Sequence, residues 1–502
     1  MNKTLTFLIL VFLSWNSLYA QIIGSCGTDA AANLDIRNRM MANREDPQLS
    51  VYRSGGTIYV PVTYWLSAKN DGTGRARYIN CLINLCAINE LYKDQGIQFY
   101  IKSINDLNNS FIYDDPSSQF GAAAIINIHK KNLNAINIFV ASKANGSSPG
   151  VLAFYSPNDD YIVSDLNYVN SNGTTLGHEI GHYFSLAHTF FGWEADTYDC
   201  TVPTPLEHFL NGQRVLVEYV DRAKQYSSNK LHCNVAADGF CDTPADYNLG
   251  FGFNGCKYSG CAKDPDDVPL DPDEANIMSY FLNCLKYFSQ EQKDAIARDY
   301  ASSKRNYLKT PVQTALPEVT EAPKNATIVS DGFNSVTFKW DAVPNATYYI
   351  LEYAQVSLSN AATYKTFLLK RTDTTLTNLN KGIKYAWRVT AFNATSLCPK
   401  STNPITFTNS NFGVATQDHE NNISGASVTS LGNTYYLIDV SASSSQILRF
   451  EVFNLDGRLV HEEDLQLSAG FNQFIRSMDQ NGIYTYRLRN KDQSYSGKLF
   501  AY

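Results

Sequence analysis

The sequence has few charged residues and no concentrated block of one sign. Asp, Glu, Lys and Arg together make up 18% of the 502 residues, and the formal net charge is −7. Proteins that bind nucleic acids or anionic membranes usually carry a dense patch of Lys and Arg. The composition therefore excludes nucleic acid as an expected partner.

Long apolar runs are also missing from most of the chain. After the N-terminal region no segment holds 18 consecutive apolar residues, so no membrane span is expected. The first 20 residues differ, because Lys3 precedes an apolar run at 5–13 and small residues lead to Ala20. This layout is typical of a secretory signal peptide, with a buried N-terminal helix as the alternative. We expect a secreted chain that is soluble after cleavage.

The ten cysteines agree with export, because disulfides form and persist outside the cytosol. Six of them fall between residues 200 and 284, where disulfides would stabilise a loop-rich segment. Cys81 and Cys86 lie on one predicted helix, about 140° apart around its axis, so they are not expected to pair with each other. We interpret both as thiols of the core. The spacing leaves the remaining pairs open.

The rest of the composition is that of a packed protein, with 44% apolar residues, 29 Gly and 17 Pro. A single core stops growing at about 250–300 residues, so several domains are expected. Strand patterns at 56–66, 96–101, 135–140 and 161–163 mix with helix patterns at 75–93 and after Gly173. This order predicts an α/β (α+β) domain, followed by a linker rich in Pro, Thr, Glu and Ala.

The most informative motif lies on the second predicted helix. His178 and His182 are four residues apart, so both imidazoles share a face and can bind one Zn²⁺. Glu179 lies beside them as a general base rather than a ligand. Such a short motif also occurs by chance, and the alternative is a solvated polar helix face. His188 can join the site only if the helix ends soon after His182.

Two further signatures follow in the chain. Asp242 begins an Asp-Thr-Pro tripeptide, and Met278 is followed two residues later by Tyr280. Together with the histidine run, these motifs resemble the metzincin zinc peptidases, and in particular the pappalysin (cytophagalysin-like) family, over roughly residues 50–300. The resemblance implies a mixed twisted sheet with an active-site helix. It also implies a zinc-dependent endopeptidase that acts on proteins or peptides, whereas the site chemistry alone would equally suit an exopeptidase.

The resemblance assigns a role to each motif residue. The three histidines would hold Zn²⁺ and leave a fourth position for water, from which Glu179 would take a proton. Tyr280 would donate a hydrogen bond to the tetrahedral oxyanion, with a buried core tyrosine as the alternative. Met278 would form an apolar floor beneath the ligands. Asp242 would be a structural carboxylate.

The chain departs from the family pattern at two places. Ser185 stands where metzincins usually have Gly, at a position that normally adopts a left-handed conformation and costs another residue about 1 kcal/mol or more. Relatives that prefer basic residues tend to have an acidic side chain shortly after the tyrosine. Here Phe281, Leu282 and Asn283 follow. The resemblance therefore gives no basis for a preference for Arg or Lys.

Cys26 lies in the segment at 21–50, which we interpret as a pro-segment. A thiolate there could occupy the fourth zinc position and keep the precursor inactive, a cysteine switch that is seen in some metzincins. A disulfide or a free thiol is the alternative.

An acidic run precedes the methionine. Its carboxylates would suit Ca²⁺, although no EF-hand spacing is present and a solvated acidic loop is the alternative. The residues of this run are Asp264, Asp266, Asp267, Asp271, Asp273 and Glu274.

Only strand patterns follow the linker. With Trp340 in an early strand and Tyr385 near a tyrosine corner, residues 325–410 resemble a fibronectin type III module. Residues 428–502, with a hairpin at Asp456 and Gly457, resemble the C-terminal sorting domain of the type IX (Por) secretion system of Bacteroidetes. That resemblance implies the secretion machinery as a partner and the outer surface as destination. An ordinary binding sandwich is the alternative.

The predicted organisation is multidomain, with an α/β (α+β) metzincin domain followed by two all-β sandwiches. Its order is a signal peptide at 1–20, a pro-segment at 21–50, a catalytic domain at 51–308, a linker at 309–324, a fibronectin-like domain at 325–410, a linker at 411–427 and a sorting domain at 428–502. The other functions considered are an inactive surface binding protein that uses the fibronectin-like module, and a gluzincin in which Glu194 replaces His188. The gluzincin alternative does not explain why the segment at 276–280 carries Met278 and Tyr280.

Overall fold

The computed structural model describes residues 25–49, 56–146, 148, 150–194, 196–310, 313–330, 335–356, 364–377, 379–380, 382–409, 423–432, 434–490 and 493–501. The predicted signal peptide lies outside the described residues, as does most of the predicted linker at 411–427. In the described part of the chain, no helix combines the length and the apolar character that crossing a membrane requires.

The first unit contains a six-stranded mixed sheet in the order β1-β5-β6-β4-β2-β3. Strand β5 is antiparallel to β6, and the other neighbours are parallel. β4 is buried along its whole length, which agrees with a sequence that is apolar except at Asn137. β2, β3, β4 and β6 confirm the four predicted strands. The strands are β1 (Ser25–Cys26), β2 (Ile58–Ala68), β3 (Ile97–Asn108), β4 (Ile136–Ala141), β5 (Val151–Ser156) and β6 (Tyr161–Asp165).

The described residues of this unit form six α-helices. α2 and α5 confirm the two predicted helices, whereas α1, in the segment interpreted as a pro-segment, was not predicted. α1, α2, α5 and α6 pack with the sheet in the largest hydrophobic core of the described residues, whereas α3 and α4 pack in a separate, smaller cluster. The helices are α1 (Ala30–Glu45), α2 (Tyr78–Tyr92), α3 (Ser110–Asp114), α4 (Gln119–Lys130), α5 (Thr174–Tyr183) and α6 (Gln290–Ala301).

Arginines attach α1 to the loops of the unit. Arg37 Nη2 donates to the carbonyl oxygen of Val235 at 2.7 Å, and Arg44 Nη1 donates to that of Gly239 at 2.6 Å. Both carbonyl groups can accept from the arginines because the loops that carry them form no sheet hydrogen bonds. Helix α1 therefore packs as a layer of the first unit.

The long segment between α5 and α6 consists mainly of loops. It holds two small hairpins, β7 (Glu207–Leu210) with β8 (Gln213–Leu216) and β9 (Gln225–Ser227) with β10 (Lys230–Leu231). Three disulfides cross it and pair all six cysteines of the 200–284 segment, as expected for a region with little regular structure. They are Cys200–Cys261, Cys233–Cys241 and Cys256–Cys284.

The second unit is a sandwich of two antiparallel sheets, β11-β12-β15 and β14-β13-β16-β17, with β18 also on β16. Trp340 and Tyr385 are buried in its core, and the hydroxyl oxygen of Tyr385 accepts from the backbone N–H of Asn380 at 2.9 Å. The strands are β11 (Thr327–Ser330), β12 (Ser335–Lys339), β13 (Tyr348–Gln355), β14 (Lys365–Leu369), β15 (Asp373–Thr377), β16 (Lys384–Phe392), β17 (Lys400–Ser401) and β18 (Ile405–Thr408).

The third unit is again two antiparallel sheets, β19-β20-β23 and β22-β21-β24-β25, around its own core. The predicted hairpin joins β21 to β22, and Gly457 in its turn has a φ of +78°. The strands are β19 (Ile423–Gly432), β20 (Tyr435–Ala442), β21 (Gln446–Phe453), β22 (Leu459–Leu467), β23 (Gly470–Ser477), β24 (Gly482–Arg489) and β25 (Ser494–Ala501).

The first two units are covalently joined. Cys86 on α2 forms a disulfide with Cys398 of the second unit, so its interpretation as a core thiol was wrong. The distant partner, 312 residues away, carries no local sequence signal. Cys81 is a buried free thiol, as predicted. The two units also share an ion pair, in which Arg77 Nε donates to Glu352 Oε1 at 2.6 Å. The multidomain organisation is thus confirmed, with two units held together.

Candidate metal centre

The helix that carries the histidine motif is short and is buried from Leu176 onward. Every residue of α5 from Leu176 to Tyr183 is buried, which excludes the solvated polar face considered above. Gly173 forms its N-cap with a φ of +72°, and a Cβ there would lie 2.8 Å from the Cβ of Ala87. A glycine is therefore required where the helix starts against α2.

The helix ends one residue after His182, which is the condition for His188 to join the site. Tyr183 is its last residue, and Ser185 adopts a φ of +66°. The backbone N–H of Leu186 donates to the carbonyl oxygen of Gly181 at 3.0 Å and closes the turn. Ser185 thus takes the left-handed conformation expected at this position, at a cost of about 1 kcal/mol.

The turn brings the three imidazoles together. The ring centroids lie 4.6 Å apart for His178 and His182, 4.6 Å for His182 and His188, and 5.2 Å for His178 and His188. Nε2 of His182 is 3.2 Å from Nε2 of His188. With Cys26 Sγ, one ligand atom from each of the four residues lies within 4.8 Å of the others.

Two of the rings are oriented by backbone carbonyls. Nδ1–H of His178 donates to the carbonyl oxygen of Ile277 at 2.7 Å, and Nδ1–H of His182 donates to that of Leu186 at 2.7 Å. Because a carbonyl only accepts, these bonds place the proton on Nδ1 and leave Nε2 as a lone pair. Nε2 of His178 has no hydrogen-bond partner in the described structure.

Burial keeps all three rings neutral. It lowers the pKa of His178 to about 4, and it lowers the pKa values of His182 and His188, on which the neighbouring imidazoles act in the same direction. Converging neutral imidazole nitrogens in a buried site are the donor set that zinc prefers. The residues present therefore fit a zinc ion.

Glu179 lies on the same helix beside this group. It is fully buried, and burial raises its pKa to about 8. Its Oε2 accepts from the thiol of Cys26 at 3.5 Å. Next to the three imidazoles, the structure thus has a carboxyl group that can hold a proton near neutral pH.

The segment after the acidic run forms the other side of the centre. Met278 is fully buried, and a Cβ on Gly181 would lie 2.5 Å from its Sδ, so the methionine packs directly against α5. The ring of Tyr280 lies 5.0 Å from that of His188, and its hydroxyl donates to the carbonyl oxygen of Cys26 at 3.3 Å. Met278 therefore lies against α5 at Gly181, and Tyr280 borders His188.

Cys26 reaches the centre through a strand pairing. β1 runs parallel to β5 at the edge of the sheet, and the N–H of Gly27 donates to the carbonyl oxygen of Ala153 at 2.7 Å. Burial, and next the charge of Glu179, raise the pKa of the Cys26 thiol. The thiol is therefore protonated in the absence of a cation, in agreement with its donation to Glu179.

Asp242 lies away from the imidazoles and caps a helix. Its Oδ1 accepts from Ser289 Oγ at 2.7 Å and its Oδ2 accepts from the N–H of Glu291 at 2.8 Å, both at the start of α6. Carboxylates favour helix N-termini because the amide groups there lack intrahelical partners. Asp242 therefore stabilises the start of α6.

The acidic run does not gather into a cation site. Asp264 accepts from the N–H groups of Val220 and Val268, and Glu274 accepts from the N–H of Tyr258. Within the described residues, the group formed by Cys26 and the three histidines is the one cluster with metal-binding geometry. The calcium expectation gains no support, because these carboxylates stabilise separate loop turns.

A cavity of about 400 Å³ opens beside the centre. His178, Glu179 and Tyr280 line one part of it. The other lining side chains are neutral, and Glu179 is the one carboxylate among the described residues that line the cavity. They include Leu152, Tyr168, Asn170, Thr174, Phe253, Phe281, Leu282 and Asn283. The cavity is large enough for a side chain of a peptide, and it presents amides, hydroxyls and apolar groups.

The sequence interpretation missed two contributors. Arg39 of α1 donates from Nη2 to the carbonyl oxygens of His182 at 3.2 Å and Tyr183 at 2.9 Å, at the end of α5. Asp246 accepts from Thr189 Oγ1 at 2.8 Å and holds the loop that follows His188. An arginine among others on a helix, and an acid in a loop, give no signal of such contacts.

Comparisons with known proteins give partial support to the predicted enzyme class. No protein family model matches the chain. An extracellular metalloprotease of Neurospora crassa is 26% identical over 204 residues, which cover 36% of this chain and 70% of that protein. The chain is thus distantly similar to an extracellular metalloprotease.

Among solved structures, the chain is similar to fibronectin type III domains. One from human collagen XX is 15% identical, with 19% of this chain and 99% of that chain covered and a TM-score of 0.16. A two-domain segment of chicken tenascin is 13% identical, with 36% and 99% covered and a TM-score of 0.17.

Proposed function

We propose that this chain is a secreted zinc-dependent endopeptidase of the metzincin class, close to the pappalysins, which hydrolyses peptide bonds of extracellular proteins or peptides. The observation that carries the proposal is the convergence of His178, His182 and His188, made possible by the end of α5 at Tyr183. The distant similarity to an extracellular metalloprotease supports the same reaction class.

The three histidines would hold the zinc ion. When bound, the ion supplies Lewis acidity that makes a water acidic near neutral pH and polarises a peptide carbonyl. The carbonyl oxygens of Ile277 and Leu186 keep two of the rings in the tautomer that presents Nε2. The residues of the chain thus arrange the ligands before any substrate arrives.

Glu179 would move the proton. Its carboxylate accepts a proton from the attacking water and returns it to the nitrogen of the leaving amine. The burial that raises its pKa to about 8 favours holding that proton between the two transfers. Tyr280, which borders His188, would donate from its hydroxyl to the carbonyl oxygen as negative charge develops.

Cys26 would keep the precursor latent. Its thiol is part of the four-residue group, and β1 covers the edge of β5 where an extended substrate could otherwise pair. The hydroxyl of Tyr280 is bound to the backbone of the same residue. A Cys26 thiolate at the ion would therefore block the water position, the strand edge and the oxyanion donor together.

The remaining units would serve export and attachment. We assign the second unit to a fibronectin type III-like module and residues 428–502 to a sorting domain that the type IX secretion machinery recognises. Both follow from the sequence resemblance, and the sandwich form of each unit agrees with it.

The experiment that tests the function compares the wild type with Glu179→Ala on a protein substrate, with and without a chelator, and sequences the fragments. The proposal expects internal cleavage by the wild type, which the chelator abolishes, and a loss of at least a hundredfold in the variant, since general-base catalysis contributes about 10²–10⁴-fold. Cleavage by Glu179→Ala at the wild-type rate would refute the mechanism.

A further inference from the structure

His188 is held differently from the other two imidazoles. Its Nε2 faces His182 Nε2 at 3.2 Å, and its Nδ1 faces Oε1 of Glu194 at 3.6 Å. Nδ1 of His188 and Oε1 of Glu194 are both buried, and neither has a hydrogen-bond partner in the described structure. A potential donor and an acceptor thus face each other, just beyond hydrogen-bond distance.

A backbone hydrogen bond fixes the orientation of the Glu194 carboxylate. Its Oε2 accepts from the N–H of Gly192 at 2.8 Å, which turns Oε1 toward the imidazole. The ring of Phe190 stacks on His188, with centroids 4.5 Å apart and planes inclined by 10°. Among the ion pairs of the described residues, Glu194 has no Lys or Arg partner. Its Oε1 is therefore directed at His188.

The equivalent atoms of the other rings have backbone partners. Nδ1–H of His178 donates to the carbonyl oxygen of Ile277, and Nδ1–H of His182 donates to that of Leu186. Glu194 occupies the same place at the third ring, where a side-chain carboxyl group takes the place of a backbone carbonyl. A carboxylate that accepts from a metal-bound imidazole makes the ring a stronger donor and fixes its orientation.

We propose that Glu194 is a positioning residue for the metal centre, which accepts the Nδ1–H of His188 and fixes the tautomer that directs Nε2 to the ion. This inference rests on the proposed zinc site. It replaces the gluzincin alternative, because Glu194 lies on the Nδ1 side of the ring and is outside the four-residue group. The carboxylate supports the third ligand and does not bind the metal.

The test measures the zinc dissociation constant of the full chain by competition with a chromophoric chelator. Glu194→Ala should bind zinc about 10–100-fold more weakly than the wild type. Glu194→Gln should fall between them, because its amide oxygen still accepts but carries no charge. The matched control is Asp196→Asn, an exposed carboxylate of the same loop that pairs with His208, and its affinity should be unchanged.

A second measurement distinguishes a residue that positions His188 from a residue that binds the metal itself. With Co²⁺ in place of Zn²⁺, Glu194→Gln should keep the visible absorption of the wild type, because its ligand set is unchanged, whereas His188→Ala should lose it. The Gln variant keeps the side-chain shape and decides the matter if Glu194→Ala does not fold. Zinc affinity within twofold of the wild type in Glu194→Gln and Glu194→Ala would overturn the proposal.

The outcomes distinguish this inference from the function on which it rests. A wild-type chain that binds no zinc contradicts the proposed function itself. A wild type with one zinc, together with Glu194 variants of equal affinity, contradicts the positioning role alone. If His188→Ala keeps the metal and Glu194→Gln loses it, Glu194 is the ligand and the positioning role is wrong.

Discussion

The thiol of Cys26 lies 3.5 Å from Oε2 of Glu179, although 153 residues separate them in the chain. The contact depends on β1, which pairs with β5 and directs the thiol to the centre. One residue of the segment at 21–50 therefore touches the proposed general base and belongs to the proposed ligand group. This contact leads directly to a prediction about latency.

Replacing Cys26 by Ala should shorten the life of the precursor. Without the thiol, water can reach the proposed metal position, so self-cleavage should begin several-fold sooner. The measurement is the lag before peptidase activity, together with the N-terminal sequence of the products. Cys81→Ala, which removes the other free thiol, is the control and should leave the lag unchanged. An equal lag in Cys26→Ala and the wild type would contradict the switch.

Arg39→Ala should destabilise the full chain. The Arg39 guanidinium donates to two carbonyl oxygens at the end of α5 and to Asp299 Oδ1 at 3.1 Å, and the variant leaves those acceptors without this partner. We expect a loss of about 1–3 kcal/mol in the free energy of unfolding, measured with urea. Arg214→Ala, which removes an exposed arginine paired with Glu207, is the control and should stay within about 0.5 kcal/mol. Equal effects of the two substitutions would contradict the docking of α1.

The disulfide between the first two units should contribute substantially to stability. Cys398→Ser should lower the free energy of unfolding by about 2–5 kcal/mol, because it removes a covalent link across 312 residues. Cys86→Ser with Cys398→Ser should cost no more than either alone, since both remove one bond. Additive losses measured by denaturant unfolding would show that the two residues act separately.

A charge placed in the cavity should change the cleavage preference. The wild type is expected to prefer neutral side chains, because Glu179 is the one carboxylate among the described residues of the cavity lining. Asn283→Asp should raise the relative rate for peptides with Arg or Lys by about tenfold, the effect of about 1.4 kcal/mol. Sequencing the products of a peptide library tests this. Leu282→Ile, which adds no charge, is the control. A wild type that already prefers Arg or Lys would contradict the prediction.

The parts of the site that the sequence predicted are those fixed by local geometry. His178 and His182 share a face because residues four apart do so on any helix. The rise of a helix per residue predicted that His188 can join the site only if the helix ends soon after His182. The family pattern predicted the left-handed conformation at Ser185. Each of these expectations involves neighbours within about ten residues, where spacing determines geometry.

The parts that were not predicted depend on the path of the chain between distant segments. The Cys86–Cys398 disulfide and the contact of Arg39 with α5 join residues that are far apart in sequence. Glu194 was considered as a ligand because a downstream carboxylate can be one. The turn at 189–193 instead places it behind His188. Spacing in a loop does not determine on which side of a ring a carboxylate lies.

The most direct test of the central claim is the metal content of the purified full chain and of His188→Ala, determined by elemental analysis after dialysis. The account predicts one zinc per wild-type chain and a strongly reduced content in the variant. A wild-type chain without stoichiometric metal, or a His188→Ala variant that keeps its zinc in full, would contradict it.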